Sequence, residues 1–198
     1  MNLSSLKQIC YDLNRQIGTH PNLSELTLNN IIKTVIWDVA KYMNTINHPY
    51  FVELKEFTIL DGEVVLMTTE MRPITEMIDK LAYAYVINGE ERLELQVTSL
   101  ENVLKANYSN SEYGYITYSK SRLFIHIPPK YYNSTMYLAY YSFPEMPIED
   151  EDEIDLPVDM MEYFFILFKI YLYGENPIPR ELLQLKYEFE LKNKFESK

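Results

Sequence analysis

Three histidines, one cysteine and a dense run of carboxylates are the side chains of this chain with catalytic or ligating chemistry to offer. His20, His48 and His126 are widely separated, and none stands at a metal-ligand spacing from another or from Cys10. His126, on one strand face with Arg122 and Phe124 and alternating with Leu123, Ile125 and Ile127, reads as a surface or sheet-edge residue. Cys10 falls on the apolar face of an amphipathic segment and reads as a small core residue, and no serine has a nucleophile-elbow setting, so a nucleophilic hydrolase is disfavoured. The five glycines, at 18, 62, 89, 114 and 174, are too dispersed for a phosphate-cradling loop. Glu149, Asp150, Glu151, Asp152 and Glu153, followed by Asp155, lack the glycine and alternating spacing of a calcium loop. They read as an exposed, helix-capping loop. The expectation is a protein with no catalytic residues, no metal and no cofactor.

Composition narrows the class further. Of 198 residues, 47% are hydrophobic and 24% charged, an ordinary globular balance. Lys and Arg number 18 against 29 Asp and Glu, a net charge of −11 that argues against a grip on nucleic acid built from phosphate neutralisation. A single cysteine forms no internal disulfide, and the first eleven residues hold no apolar h-region, so an unsecreted protein is expected. The most apolar stretch, 158–173, is broken by Asp159, Glu162 and Lys169, which predicts no membrane span. Eighteen tyrosines suit half-buried or partner-facing surfaces. Thirteen Lys against five Arg, with fourteen Asn, is a bias that AT-rich coding would produce.

The elements that would carry these residues fall into three regions. Residues 1–48 predict a helix hairpin. Leu3, Leu6, Ile9, Cys10 and Leu13 share one face, Gly18 and Pro21 break the chain, and Asn22 with Glu25 caps a long helix over 23–46. Residues 49–148 predict a small antiparallel β lobe with hairpins at Asp61-Gly62 and Asn88-Gly89. There Leu123–Ile127 pairs with Met136–Phe143, a short helix near 99–106 is capped by Thr98 and Glu101, and a Tyr-rich edge strand ends at Ser119. Residues 149–198 predict the acidic loop, an almost wholly apolar helix over 157–173, and a terminal helix over 181–195 with Leu183, Tyr187, Leu191 and Phe195 at four-residue steps. The expected fold is α+β, with the N-terminal hairpin and C-terminal helices in one helical lobe packed with the β lobe. Leu28, Ile32, Val35, Val39 and Met43 are expected to face Phe164, Leu167 and Phe168 in that lobe.

Three stretches carry a resemblance. Arg122-Leu-Phe-Ile-His-Ile-Pro-Pro is followed by Met136-Tyr-Leu-Ala-Tyr-Tyr-Ser-Phe-Pro and then by Asp155-Leu-Pro-Val-Asp-Met-Met-Glu-Tyr-Phe-Phe. A strand ending at prolines, a Tyr-rich strand ending before proline and a helix opened by Leu-Pro, in this order, resemble the head-to-tail connector proteins of short-tailed phages. These are the adaptor or gatekeeper ring proteins typified by tail tubular protein A, and the composition is similar to the crAss-like phages.

That resemblance implies a virion protein at the head-tail junction, assembled in the host cytoplasm as a ring, commonly a dodecamer. It would bind the portal protein on one side and the next tail ring on the other, touching copies of itself and passing DNA without specific binding. In such rings the carboxyl-terminal segment docks on the portal, which points to Tyr187, Leu191, Lys192, Lys194 and Phe195 as contacts to the portal or an adjacent subunit. The acidic loop Glu149–Glu153 would be exposed or channel-facing. Two other readings remain open: a cytosolic α+β protein-binding module, and a carboxylate-dependent enzyme.

Overall fold

A computed structural model describes residues 1–20, 22–59, 65–66, 78–109, 111–119 and 122–196; at 65, 66, 78, 79, 108 and 194–196 only the backbone is described. The fold is α+β and divides into two units, one built from Met1–Tyr50 with Pro144–Lys198, the other from Phe51–Phe143. No helix among the described residues is long and apolar enough to cross a membrane.

The first unit is helical. Helix α1 spans Leu3–Ile17, opened by Asn2, whose side chain accepts from the Ser5 N–H, and closed by Gly18. Leu3, Leu6 and Cys10 are buried on it, and burial pushes the Cys10 thiol up to about 12. Ile9 is exposed, because the buried arc turns toward Lys7 and Asn14 instead. Helix α2 spans Glu25–Thr45. Its cap is Ser24, whose hydroxyl accepts from the Thr27 N–H at 3.1 Å, so the start lies two residues beyond the Asn22 cap expected from sequence.

The pairing of α1 with α2 is also not that of an aligned hairpin. Lys7, in the first half of α1, reaches Glu25 at the start of α2 at 3.0 Å, where an aligned antiparallel pair would set Glu25 beside the last turn of α1.

Helix α4 spans Met161–Tyr173 after a short 3-10 turn at Val158–Met160. It packs against α1, α2 and the terminal helix α5, Arg180–Glu196. Leu28, Ile32, Val35, Val39 and Met43 on α2 and Phe164, Leu167 and Phe168 on α4 are all buried where these helices meet.

The second unit is a sheet of seven strands among the described residues, in the order β1-β7-β3-β4-β5-β6-β2. The strands are β1 (Val52–Thr58), β2 (Val65–Leu66), β3 (Ile78–Asn88), β4 (Glu91–Val97), β5 (Gly114–Ser119), β6 (Arg122–His126) and β7 (Thr135–Ser142). One face buries Ala84, Val86, Leu95, Ile116, Leu123, Ile125, Met136, Leu138 and Tyr140. The β3–β4 hairpin turns through Gly89-Glu90, with positive φ at Gly89 only, so the glycine occupies the first central position of a II′-like turn rather than the second of an Asn-Gly turn.

Three pairings differ from the expectation. β1 and the described β2 do not form a hairpin; they lie at opposite edges of the sheet, β1 on β7 and β2 on β6. The Asp61-Gly62 dipeptide itself lies outside the described residues. β6 and β7 are not partners either. β7 runs between β1 and β3, and β6 pairs with β5. After Pro128, a 3-10 turn at Pro129–Tyr131 and the positive φ of Asn133 redirect the chain instead of folding it back.

The Tyr-rich strand ending at Ser119 is not an edge: β5 lies parallel to β4 and antiparallel to β6, so the sheet is mixed. Helix α3, Leu100–Ser109, forms the crossover between β4 and β5 and packs on β5 and β6. Its first turn is capped one residue later than expected, by Ser99 on the Asn102 N–H. Gly114 stands at the start of β5, where a Cβ would run into the side chains of Leu95 and Leu93.

Candidate partner-docking face

The terminal helix α5 settles on α4 through residues its apolar spacing does not advertise. Phe189 stacks on Tyr163 at 4.9 Å, and the Tyr163 hydroxyl donates to Glu190 at 2.5 Å. Tyr42 of α2 packs on Tyr163 at 4.7 Å and donates its hydroxyl to the Glu190 carbonyl at 3.2 Å. Burial, and then the Glu190 carboxylate, push the Tyr163 hydroxyl far above the ordinary tyrosine range, and Tyr42 is raised to about 12 by burial and the same carboxylate. Both phenols are therefore neutral donors that anchor the helix.

The Leu183, Tyr187 and Leu191 stripe lies one helical position around from Leu182, Lys186 and Glu190 and faces outward. The three are 46%, 63% and 41% exposed. Helical periodicity identified a real stripe. The direction it faces was set by Phe189 and Glu190, whose aromatic and acceptor groups match Tyr163 and Tyr42. Lys192 is exposed beside the stripe, while the side chains of Lys194 and Phe195 lie outside the described residues.

The acidic loop belongs to the same unit and does two things. Its backbone closes the start of α1: Leu3 N–H donates to the Asp152 carbonyl at 2.9 Å and Ser4 N–H to that of Asp150 at 3.0 Å. Asp150 also takes the Lys7 ammonium at 2.6 Å, which with Glu25 holds that lysine above its ordinary value. The loop thus serves the first helix. No side-chain cap is found at Met160, the residue before α4. Asp152 accepts from the Ile148 and Glu149 N–H groups, which lowers its carboxyl below the usual range.

Glu149, Asp150, Glu151 and Glu153 point to solvent and Asp152 is half-buried. Beside them Ile148 and Val158 are 80% and 89% exposed. A cleft of about 340 Å³ opens there, lined by Met146, Pro147 and Ile148 on its apolar side and by Glu145, Asp152, Glu153 and Asp155 on its charged side.

The histidines converge on nothing. His48 lies 3.6 Å from Asp159 at the foot of the helical unit, and His20 offers its carbonyl to Asn14. His126 is not at the surface or at an edge. It is buried, with Nδ1 2.7 Å from the Asn107 side-chain amide and Nε2 2.9 Å from the Ser111 carbonyl. Since a carbonyl only accepts, Nε2 carries a proton, and the ring pins the end of α3 and the following turn to β6. Nothing local to Asn107, Ser111 and His126 foretells the contact, because α3 brings them together across the sheet. Among the described residues no group of three His, Cys, Asp or Glu is placed to hold a metal ion.

No protein-family model matches this chain, and no curated protein matches its sequence.

Proposed function

We propose that this protein is a structural component of a phage virion, a subunit of the connector ring between portal and tail, and that it performs no catalysis. The observation that carries the reading is the outward stripe Leu183, Tyr187 and Leu191 on a carboxyl-terminal helix that is itself anchored to the helical unit. A stably held helix with an unpartnered apolar and aromatic face suits assembly, since tyrosine and leucine supply contact area at low entropic cost. The order of elements supports the same reading: helices from both chain ends form one unit, and a sheet lies between them in sequence, ending in the Tyr-rich strand before Pro144. A net charge of −11 suits a channel wall along which DNA must slide without sticking.

In this reading Tyr187, Leu191, Lys192, Lys194 and Phe195 meet the portal ring or an adjacent copy, and the protein resides at the head-tail junction after assembly in the host cytoplasm. Mass spectrometry of purified virions of the encoding phage, compared with heads that carry no tail, tests it. The protein is expected in the virions at near-stoichiometric ratio to the portal. Its absence from virions would overturn the reading.

A further inference from the structure

We propose that the outward face of α5 docks on a second copy of this chain, at the cleft and apolar pegs of that copy's acidic loop, which makes a head-to-tail contact between neighbours. The inference rests on the ring reading above and names the two surfaces that would build the ring. One copy offers Leu183, Tyr187 and Leu191, exposed at successive turns, with Lys192 beside them making no ion pair among the described residues. The other offers Ile148 and Val158, among the most exposed apolar residues described, and the cleft of Met146, Pro147 and Ile148 edged by carboxylates.

Charge decides the occupant. Residues 145–162 contain nine Asp or Glu and no Lys or Arg, so that surface calls for a cationic partner that also brings apolar area. Within this acidic chain the 180–198 segment has the opposite balance, five Lys or Arg against four Glu, with Lys192, Lys194 and Lys198 gathered at its end. A tyrosine such as Tyr187 matches the cleft, its ring against Pro147 and Ile148 and its hydroxyl toward a carboxylate. The two surfaces differ from each other, so the contact is heterologous and propagates until it closes. Lys7 and the α1 backbone hold the loop in place in the free chain, which keeps the receiving surface preformed.

Sedimentation velocity of the full-length chain, across micromolar to millimolar concentration at low and high salt, tests the contact. Species heavier than a monomer are expected to grow with concentration and to shrink at high salt. Y187A/L191A and the charge reversal K192E/K194E should each lower association at least tenfold with unchanged melting, as should E149K/E151K on the other surface. Mixing K192E/K194E with E149K/E151K should restore it, because each variant's tail then faces a loop of opposite sign.

A chain that stays monomeric throughout, association untouched by these substitutions, or a mixture that fails to recover would overturn the proposal. A monomer still found at the head-tail junction sinks this contact and leaves the connector reading standing. Association through these surfaces by a protein missing from virions does the reverse.

Discussion

His126 is the side chain whose setting departs most from its sequence context. Replacing it with leucine leaves the Ser111 carbonyl and the Asn107 amide without their partner in a buried place, a loss of about 1–3 kcal/mol. Urea unfolding of His126→Leu measures it, and the turn at 111–113 should show the largest rise in amide exchange. Cys10 makes a second residue-level expectation. Its thiol, raised to about 12 by burial, is almost entirely protonated at neutral pH. Alkylation of the native chain should proceed no faster than global unfolding, and a rapid native reaction would place Cys10 outside the core.

Among the elements, the α2–α4 contact and the acidic loop make contrasting demands. Ile32 is fully buried and Leu167 nearly so. Ile32→Ala and Leu167→Ala should each cost about 2–5 kcal/mol, read from denaturant midpoints. In the loop, Glu149 and Glu151 make no contact that α1 needs, whereas Asp150 holds Lys7 and Asp152 accepts two backbone N–H groups. Serine at 149 and 151 should leave stability unchanged, while serine at 150 and 152 should loosen the start of α1.

The pH dependence of this loop has a definite sign. The Asp152 carboxyl is lower in the fold than its ordinary value of 3.8, so its contribution is complete above that value and is lost as pH falls through the lowered one. Protection of the Ile148 and Glu149 amides, with the intrinsic slowing of exchange in acid divided out, should fall below about pH 4, and Asp152→Asn should flatten that dependence.

Taken together, the two units are joined where the chain crosses at neighbouring strand ends. Val52 pairs with Tyr141, and the Ser142 hydroxyl donates to the Phe51 carbonyl. The sheet unit is thus an insertion whose two ends are already tied together by β1 and β7. Residues 51–143 expressed alone should fold cooperatively, and residues 1–50 joined to 144–198 by a short Gly/Ser linker should retain helical circular dichroism and the α2–α4 core. Failure of both fragments would mean that neither unit's core is self-sufficient.

The α+β class, the helices and the presence of a hairpin at Gly89, though not which two residues make its turn, were legible because their causes are local. Leu28, Ile32, Val35, Val39 and Met43 recur at 3.6-residue spacing whatever they pack against, and the glycine opening the two-residue loop takes the positive φ it requires. Strand partnership was not legible. Alternation in Leu123, Ile125 and Ile127 says that one face is buried, but backbone N–H and C=O groups pair alike with any neighbour. Only the assembled sheet placed β6 beside β5, β7 between β1 and β3, and β1 at the opposite edge from β2.

The same holds for the candidate docking surfaces. The stripe on α5 and the carboxylates of 149–155 were visible as spacing and charge. That the stripe faces outward, and that the loop straps α1, came from Tyr163, Tyr42 and Lys7, which meet their partners from far along the chain. Long-range contacts decide such directions because they are fixed by which buried donors and apolar rings find a match, and a local pattern carries no record of its eventual neighbour.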